Sequence, residues 1–157
     1  MRLLAIDPGT NFVGVCSAYD HRTWNLNPTK KAGRAERLSL LAEKLTDALS
    51  EDYTNPYDFV VYETPFCRGR DATRCLWGAA GVIEAVAHSC GVGVYDVNNA
   101  ALRRWATGSG KKQVKDKGSK DNPMMQKALT LAKGPLTEHE ADATCLYHYV
   151  LENLEVK

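Results

Sequence analysis

A chain of 157 residues has the length of one domain. Its 44% hydrophobic and 25% charged content is that of a globule with a sizeable core and excludes a disordered chain. Lys and Arg total 20 against 19 Asp and Glu, so the net charge of +1 gives no global electrostatic reason to bind a polyanion.

Residues 2 to 7 and 11 to 19 are apolar and β-branched and flank Pro8-Gly9-Thr10-Asn11, which has turn chemistry, so they predict a hairpin. A third strand over 21 to 26 completes an antiparallel meander before Asn27-Pro28 breaks it. Between 34 and 51, Ala35, Leu38, Leu41, Ala42, Leu45, Ala48 and Leu49 recur at spacings of three and four, which predicts an amphipathic helix. A short apolar strand follows over 57 to 63, then a helix over 72 to 89 whose Gly78, Ala79, Ala80 and Gly81 permit close approach, then a strand over 92 to 97.

Asn98 or Asn99 can cap a short helix through Trp105, after which Thr107-Gly108-Ser109-Gly110 opens a loop dense in Gly and Lys. Asp121-Asn122-Pro123 starts another helix, which Gly134-Pro135 stops. Thr137 and Glu140 form a capping box for a last helix with Ala141, Cys145, Leu146, Tyr149 and Val150 on its apolar side. Strands first, then alternating helices and strands, give an α/β domain with a mixed sheet and helices packed on it.

Five cysteines without a CxxC pair argue against a disulfide framework or zinc site and for a reducing compartment. The apolar run after Met1 is too short for a signal peptide, and no segment has the roughly 20 apolar residues that cross a bilayer, so the expectation is a cytoplasmic protein with no membrane partner.

Chemistry gathers at a few positions. Asp7 ends the first strand, Glu63 ends the strand before the second helix, and His139 and Asp142 lie three apart, on one face of the last helix. Three carboxylates and an imidazole at two strand ends and one helix start suit Mg2+ or Mn2+. Two such ions about 4 Å apart can drive in-line displacement at a phosphodiester. Each residue also has a plainer reading. Asp7 can be an Asp-Pro-Gly turn residue, Glu140 is explained by its cap, and the helix dipole favours Asp142. Glu63 is harder to set aside, because a carboxylate ending the apolar run Phe59-Val60-Val61-Tyr62 must reach solvent or be neutralised.

Positive charge is concentrated. Arg103, Arg104, Lys111, Lys112, Lys115, Lys117 and Lys120 face one Asp in their stretch, a local +6; residues 67 to 74 add +2, which leaves the rest at −7. These cations are either a solvated loop or the source of affinity for a polyanion. Phe66, amid Cys67-Arg68-Gly69-Arg70, is either a loop anchor or a platform for a base.

In these motifs the chain resembles the RuvC family of Holliday junction resolvases, within the ribonuclease H-like superfamily. Leu4-Ala5-Ile6-Asp7-Pro8-Gly9-Thr10 followed by Gly14 resembles the family's opening motif, and Glu63-Thr64-Pro65-Phe66 its second acidic motif. Leu76-Trp77-Gly78-Ala79-Ala80-Gly81-Val82 resembles the Gly-rich helix start in the dimerisation region. Thr107-Gly108-Ser109-Gly110 and Gly118-Ser119-Lys120 resemble the basic loop, Met124-Met125 the helix after it, and His139-Glu140-Ala141-Asp142-Ala143 the final acidic motif. The stretch between Gly110 and Gly118 carries extra residues, and His139 stands where many members have Asp and others His.

The resemblance implies a ribonuclease H-like fold, with an antiparallel meander plus parallel strands flanked by α-helices, over one nuclease domain spanning residues 1 to 157. It implies a homodimeric endonuclease that resolves four-way DNA junctions by paired symmetric nicks, with Asp7, Glu63, His139 and Asp142 holding two Mg2+ or Mn2+ ions and no nucleotide cofactor. Lys120 would stabilise charge on the scissile phosphate. Phe66, Arg68, Arg70 and Arg74 would meet the opened junction centre, and Lys111, Lys112, Lys115 and Lys117 its phosphates. The cell would be bacterial or bacteriophage-infected, because compact members of this kind are common in bacteriophages. The alternatives are a general branched-DNA or RNA-DNA hybrid nuclease of the same superfamily and a non-catalytic junction-binding module. An actin-like kinase, which also opens on Asp-x-Gly-Thr, needs two such domains and is excluded by length.

Overall fold

The computed structural model describes residues 1–29, 31–50, 55–66, 69–109, 122–132 and 134–153. Strands β1 (Leu3–Asp7), β2 (Phe12–Cys16) and β3 (His21–Asn25) form the expected antiparallel meander, with Asp7 opposite Gly14 and Cys16 opposite His21. β1 and β2 are shorter than the apolar runs over 2 to 7 and 11 to 19. The chain turns at Ser17, whose N–H donates to the Asp20 carbonyl at 2.8 Å.

Strand β4 (Phe59–Glu63) lies parallel to β1, with Leu3 beside Phe59 and Ile6 beside Tyr62, and β5 (Gly93–Val97) lies parallel to β4. The sheet order is β3-β2-β1-β4-β5. Tyr57, expected in the fourth strand, instead packs under the Arg2 guanidinium, 4.3 Å from its ring centre, while Asp58 accepts from the Arg2 N–H.

Side chains alternate across a strand, so each strand supplies two cores. Leu4, Ile6, Val13, Val15, Val60 and Tyr62 face α1 (Arg34–Ser50) and α2 (Arg70–Ser89), meeting Leu41, Leu45, Ala80 and Ile83. Leu3, Ala5, Cys16 and Val61 face α3 (Asn99–Thr107), α4 (Pro123–Leu131) and α5 (Glu138–Asn153). Asp7 and Glu63 continue this second set by the same alternation.

The helix ends follow capping chemistry. Asn98 Oδ1 accepts the Ala100 and Ala101 N–H groups at 2.9 and 3.3 Å, and Asn122 Oδ1 accepts that of Met124 at 3.0 Å, with Pro123 opening its helix. Helix α3 runs two residues beyond the expected Trp105 and closes at Gly108, whose φ of 73° is left-handed. Helix α4 stops at Leu131, short of the Gly134-Pro135 breaker.

Helix α5 buries Ala141, Ala143, Thr144, Cys145, Leu146, Tyr147 and Val150, more than one stripe, because the sheet covers one side and α4 another. Among the described residues, no helix is long and apolar enough to cross a membrane. Cys16, Cys75, Cys90 and Cys145 are free thiols; Cys67 lies outside the described residues.

The first turn of α5 sits directly on β2. A Cβ added at Gly14 would stand 1.9 Å from the His139 carbonyl oxygen, a backbone atom that cannot swing aside. Gly14→Ala is therefore expected to destabilise the protein by about 3 kcal/mol, at the upper end for overpacking, read as a lower urea midpoint at unchanged slope; a parental midpoint would contradict this packing.

Candidate active site

The parallel register that sets Ile6 beside Tyr62 carries on to Asp7 and Glu63, so two carboxylates emerge side by side where β1 and β4 end. The first turn of α5 brings His139 and Asp142 over them. Together they line an open cleft of about 360 Å3, with Pro8, Gly9 and Thr10 on one side, Thr64, Pro65 and Phe66 on another, and Asn99, Arg103 and Glu138 closing it.

Each wall is fixed by local chemistry. The Arg37 guanidinium donates from α1 to the Thr10 carbonyl at 3.1 Å and to Asn11 Oδ1 at 2.8 Å, holding the turn after Asp7. Gly9 is required there, because a Cβ would lie 2.0 Å from the Phe12 carbonyl oxygen and 3.3 Å from the His139 ring. On the other wall, Thr64 ties the chain leaving β4 to β5, its N–H donating to the Val97 carbonyl at 2.9 Å and its hydroxyl lying 2.8 Å from Asp96 Oδ2. Phe66, beyond Pro65, is 67% exposed at the cleft edge.

His139 Nδ1 lies 3.1 Å from Asp7 Oδ2. A carboxylate only accepts, so Nδ1–H donates and Nε2 is left as the ligating nitrogen. That hydrogen bond, helped by the negative charges of Asp7, Glu138 and Glu140, pushes the imidazole pKa up against the lowering effect of burial. The Asp142 carboxyl is held well above the ordinary carboxylate range, chiefly by burial and then by the charges of Asp7, Glu63 and Glu138; Arg103 opposes the rise.

This donor set matches a hard divalent cation in chemistry, with oxygen ligands, one imidazole, and an excess of buried negative charge that a cation would relieve. As placed, though, no group of three or more His, Cys, Asp or Glu side chains among the described residues is gathered closely enough to hold an ion. The His139–Asp7 hydrogen bond occupies one of the donors instead.

The chain matches no known family's sequence pattern, and no curated protein matches it. Solved structures do. A Thermus thermophilus RuvC structure superposes with a TM-score of 0.71 over 97% of this chain and 96% of that one, at 17% identity. T. thermophilus RuvC in complex with Holliday junction substrate gives 0.68 over 94% and 90%, at 20% identity.

The chain has the RuvC fold. Its mixed five-stranded sheet with flanking helices is the ribonuclease H-like architecture read from the motifs. Within that fold, Asp7, Glu63, His139, Asp142 and Phe66 all line one cleft. Arg70 and Arg74 are exposed at the start of α2. Arg68 and the loop cations Lys111, Lys112, Lys115, Lys117 and Lys120 lie outside the described residues.

Sequence reasoning gives several cleft residues no part in the site. Arg103 was counted among the cations but given no part in the site, although its position one turn into a capped helix was a usable signal. Asn99 is legible only as a cap and Thr10 only as part of a turn and motif, and nothing in their spacing marks Glu138 or Ala72.

The raised His139 pKa has a definite sign. Its charged form stabilises the fold fully below the ordinary value near 6.5, and this contribution is lost as pH rises through the folded value. An imidazolium cannot ligate, so cation binding at the cleft should strengthen as pH rises through that same value. NMR titration of the metal-free protein should place the His139 midpoint above about 6.5, and Asp7→Asn should lower it. A midpoint indifferent to Asp7→Asn would contradict the hydrogen bond as its cause.

Proposed function

We propose that this protein is a structure-selective DNA endonuclease that resolves four-way junctions by paired symmetric nicks, acting as a homodimer of one nuclease domain in the cytoplasm of a bacterial or bacteriophage-infected cell. The observation that carries the reading is the convergence of Asp7, Glu63, His139 and Asp142 on one cleft in a RuvC fold. Branched DNA as the substrate is supported by the structural neighbour that holds a Holliday junction.

Two Mg2+ or Mn2+ ions held by these four side chains would supply an activated water and neutralise the oxygen that departs. The chain's own groups do the rest. Each nick adds one water across one P–O bond, and the carboxylates and the neutral imidazole must be in their ligating protonation states for it. Arg103 extends into the cleft from α3, where a guanidinium can meet a phosphate oxygen in two-pronged fashion, and Lys120 adds charge from the basic loop. Phe66, exposed at the cleft edge, offers its ring face to an unstacked base, and Arg68, Arg70 and Arg74 would contact the opened junction centre. Lys111, Lys112, Lys115 and Lys117 contact the flanking phosphates. A two-fold pair of such clefts matches a pseudosymmetric substrate cut twice.

The test is nicking of matched four-way junction, replication fork, linear duplex and RNA-DNA hybrid with Mg2+ or Mn2+, with Asp7→Asn as the control. Paired nicks confined to the junction, abolished in Asp7→Asn while binding persists, are expected. Equal cutting of fork and junction would mean a general branch nuclease, and no metal-dependent cutting would leave a binding module. For the basic loop, changing Lys111, Lys112 and Lys115 together to Ala should reduce the slope of log affinity against log salt by about 2 to 3; an unchanged slope would return these lysines to solvated surface.

A further inference from the structure

The capping box at the start of α5 is wired into a strand it was not expected to touch. In the box itself, the Glu140 N–H donates to Thr137 Oγ1 at 3.2 Å and the Thr137 N–H donates to Glu140 Oε2 at 2.8 Å. Thr23, 114 residues earlier on edge strand β3, enters this ring twice. Its Oγ1 is 3.0 Å from Glu140 Oε1 and 2.8 Å from Thr137 Oγ1.

Proton counting fixes the directions. A carboxylate has no proton to give, so the Thr23 hydroxyl donates to Glu140; its one proton is then committed, so the Thr137 hydroxyl donates to Thr23. Thr137 Oγ1 accepts from the Glu140 N–H at the same time, and the ring closes with its donors and acceptors matched. Each Glu140 oxygen accepts one hydrogen bond within this ring, and Glu140 does not line the cleft, so its part here is positional.

The ring's location decides what that task is. Glu138 and His139 lie between Thr137 and Glu140, and Asp142 follows two residues later. The same turn rests on Gly14 of β2 through the His139 carbonyl, which sets its height above the sheet, while side-chain bonds hold it on two sides, His139 to Asp7 within the cleft and the Thr23 ring outside it. Thr23 ties the turn by side-chain hydrogen bonds, through both Glu140 and Thr137, to β3, the sheet edge beyond β2.

We propose that Thr23 and Glu140 are positioning residues that lock the rotation of the first turn of α5, and so set His139 and Asp142 against Asp7 for the nuclease reaction. The proposal rests on the nuclease reading above. It assigns a functional part to β3, a strand that contributes no residue to the cleft lining.

Thr23→Val keeps the shape of the side chain and removes its proton, whereas Thr23→Ser keeps the proton. Junction cleavage should show kcat lowered roughly tenfold or more in Thr23→Val, as for loss of partners that orient metal-binding groups, with KM for junction DNA within about twofold of parent. Thr23→Ser should restore kcat to within about twofold. Mn2+ binding to the DNA-free full chain, followed by electron paramagnetic resonance of the free ion, should weaken in Thr23→Val and recover in Thr23→Ser. All assays are run well below each variant's melting temperature, so a fall in folded fraction does not enter.

Parental kcat and Mn2+ affinity in Thr23→Val would overturn the proposal, as would a Ser variant no better than Val. A parent chain that neither cuts nor binds Mn2+ would overturn the nuclease reading itself, and the catalytic role of the ring with it.

Discussion

The parallel pairing of β1 with β4 is the constraint on which the rest depends. Side chains alternate along both strands, and the register places equivalent positions beside one another, so the residue that follows Ala5 on its face must stand next to the one that follows Val61. Those residues are Asp7 and Glu63. A slip of one position in either strand would send one carboxylate into the opposite core, among Leu41 and Ile83, where nothing could neutralise it. The apolar patterning that builds two cores is thus also what delivers two acids to one spot.

Delivering a third creates an electrostatic conflict. Asp142 arrives on α5 already deep in the cleft, and burial and the charges of its neighbours both resist its ionisation. The protein eases the conflict in part with its own cations. Asp7 takes a hydrogen bond from His139, and Arg103 adds positive charge from α3. A well-packed hydrophobic cluster of the same size is often as stable or more so, so stability alone does not account for this corner. The residual negative charge gives a cation or a proton a reason to come.

Most of the fold was legible because its signals are local. The turn at Pro8-Gly9, the three-and-four spacing from Ala35 to Leu49, the Asn98 and Asn122 caps and the Thr137–Glu140 box each act within a few residues, and each stands where its chemistry predicts. Strand ends were less legible. Tyr57 has strand composition but is claimed by Arg2, a partner 55 residues away that no local pattern reveals. In the site, Asp7 and Glu63 were visible because acids ending apolar strands are conspicuous, and His139 and Asp142 because they lie three apart on one helix face. Arg103 and Thr23 were not, because their meaning lies wholly in what the tertiary fold sets opposite them.

The grip of Arg37 on Thr10 and Asn11 has a wider consequence. Arg37 belongs to α1, which packs on the sheet face away from α5, yet its guanidinium reaches the turn that floors the cleft. The layer that supplies none of the acids therefore supplies part of their frame. The cleft is a joint between the two halves of the molecule, and a shift in the seating of α1 is transmitted to the backbone immediately after Asp7.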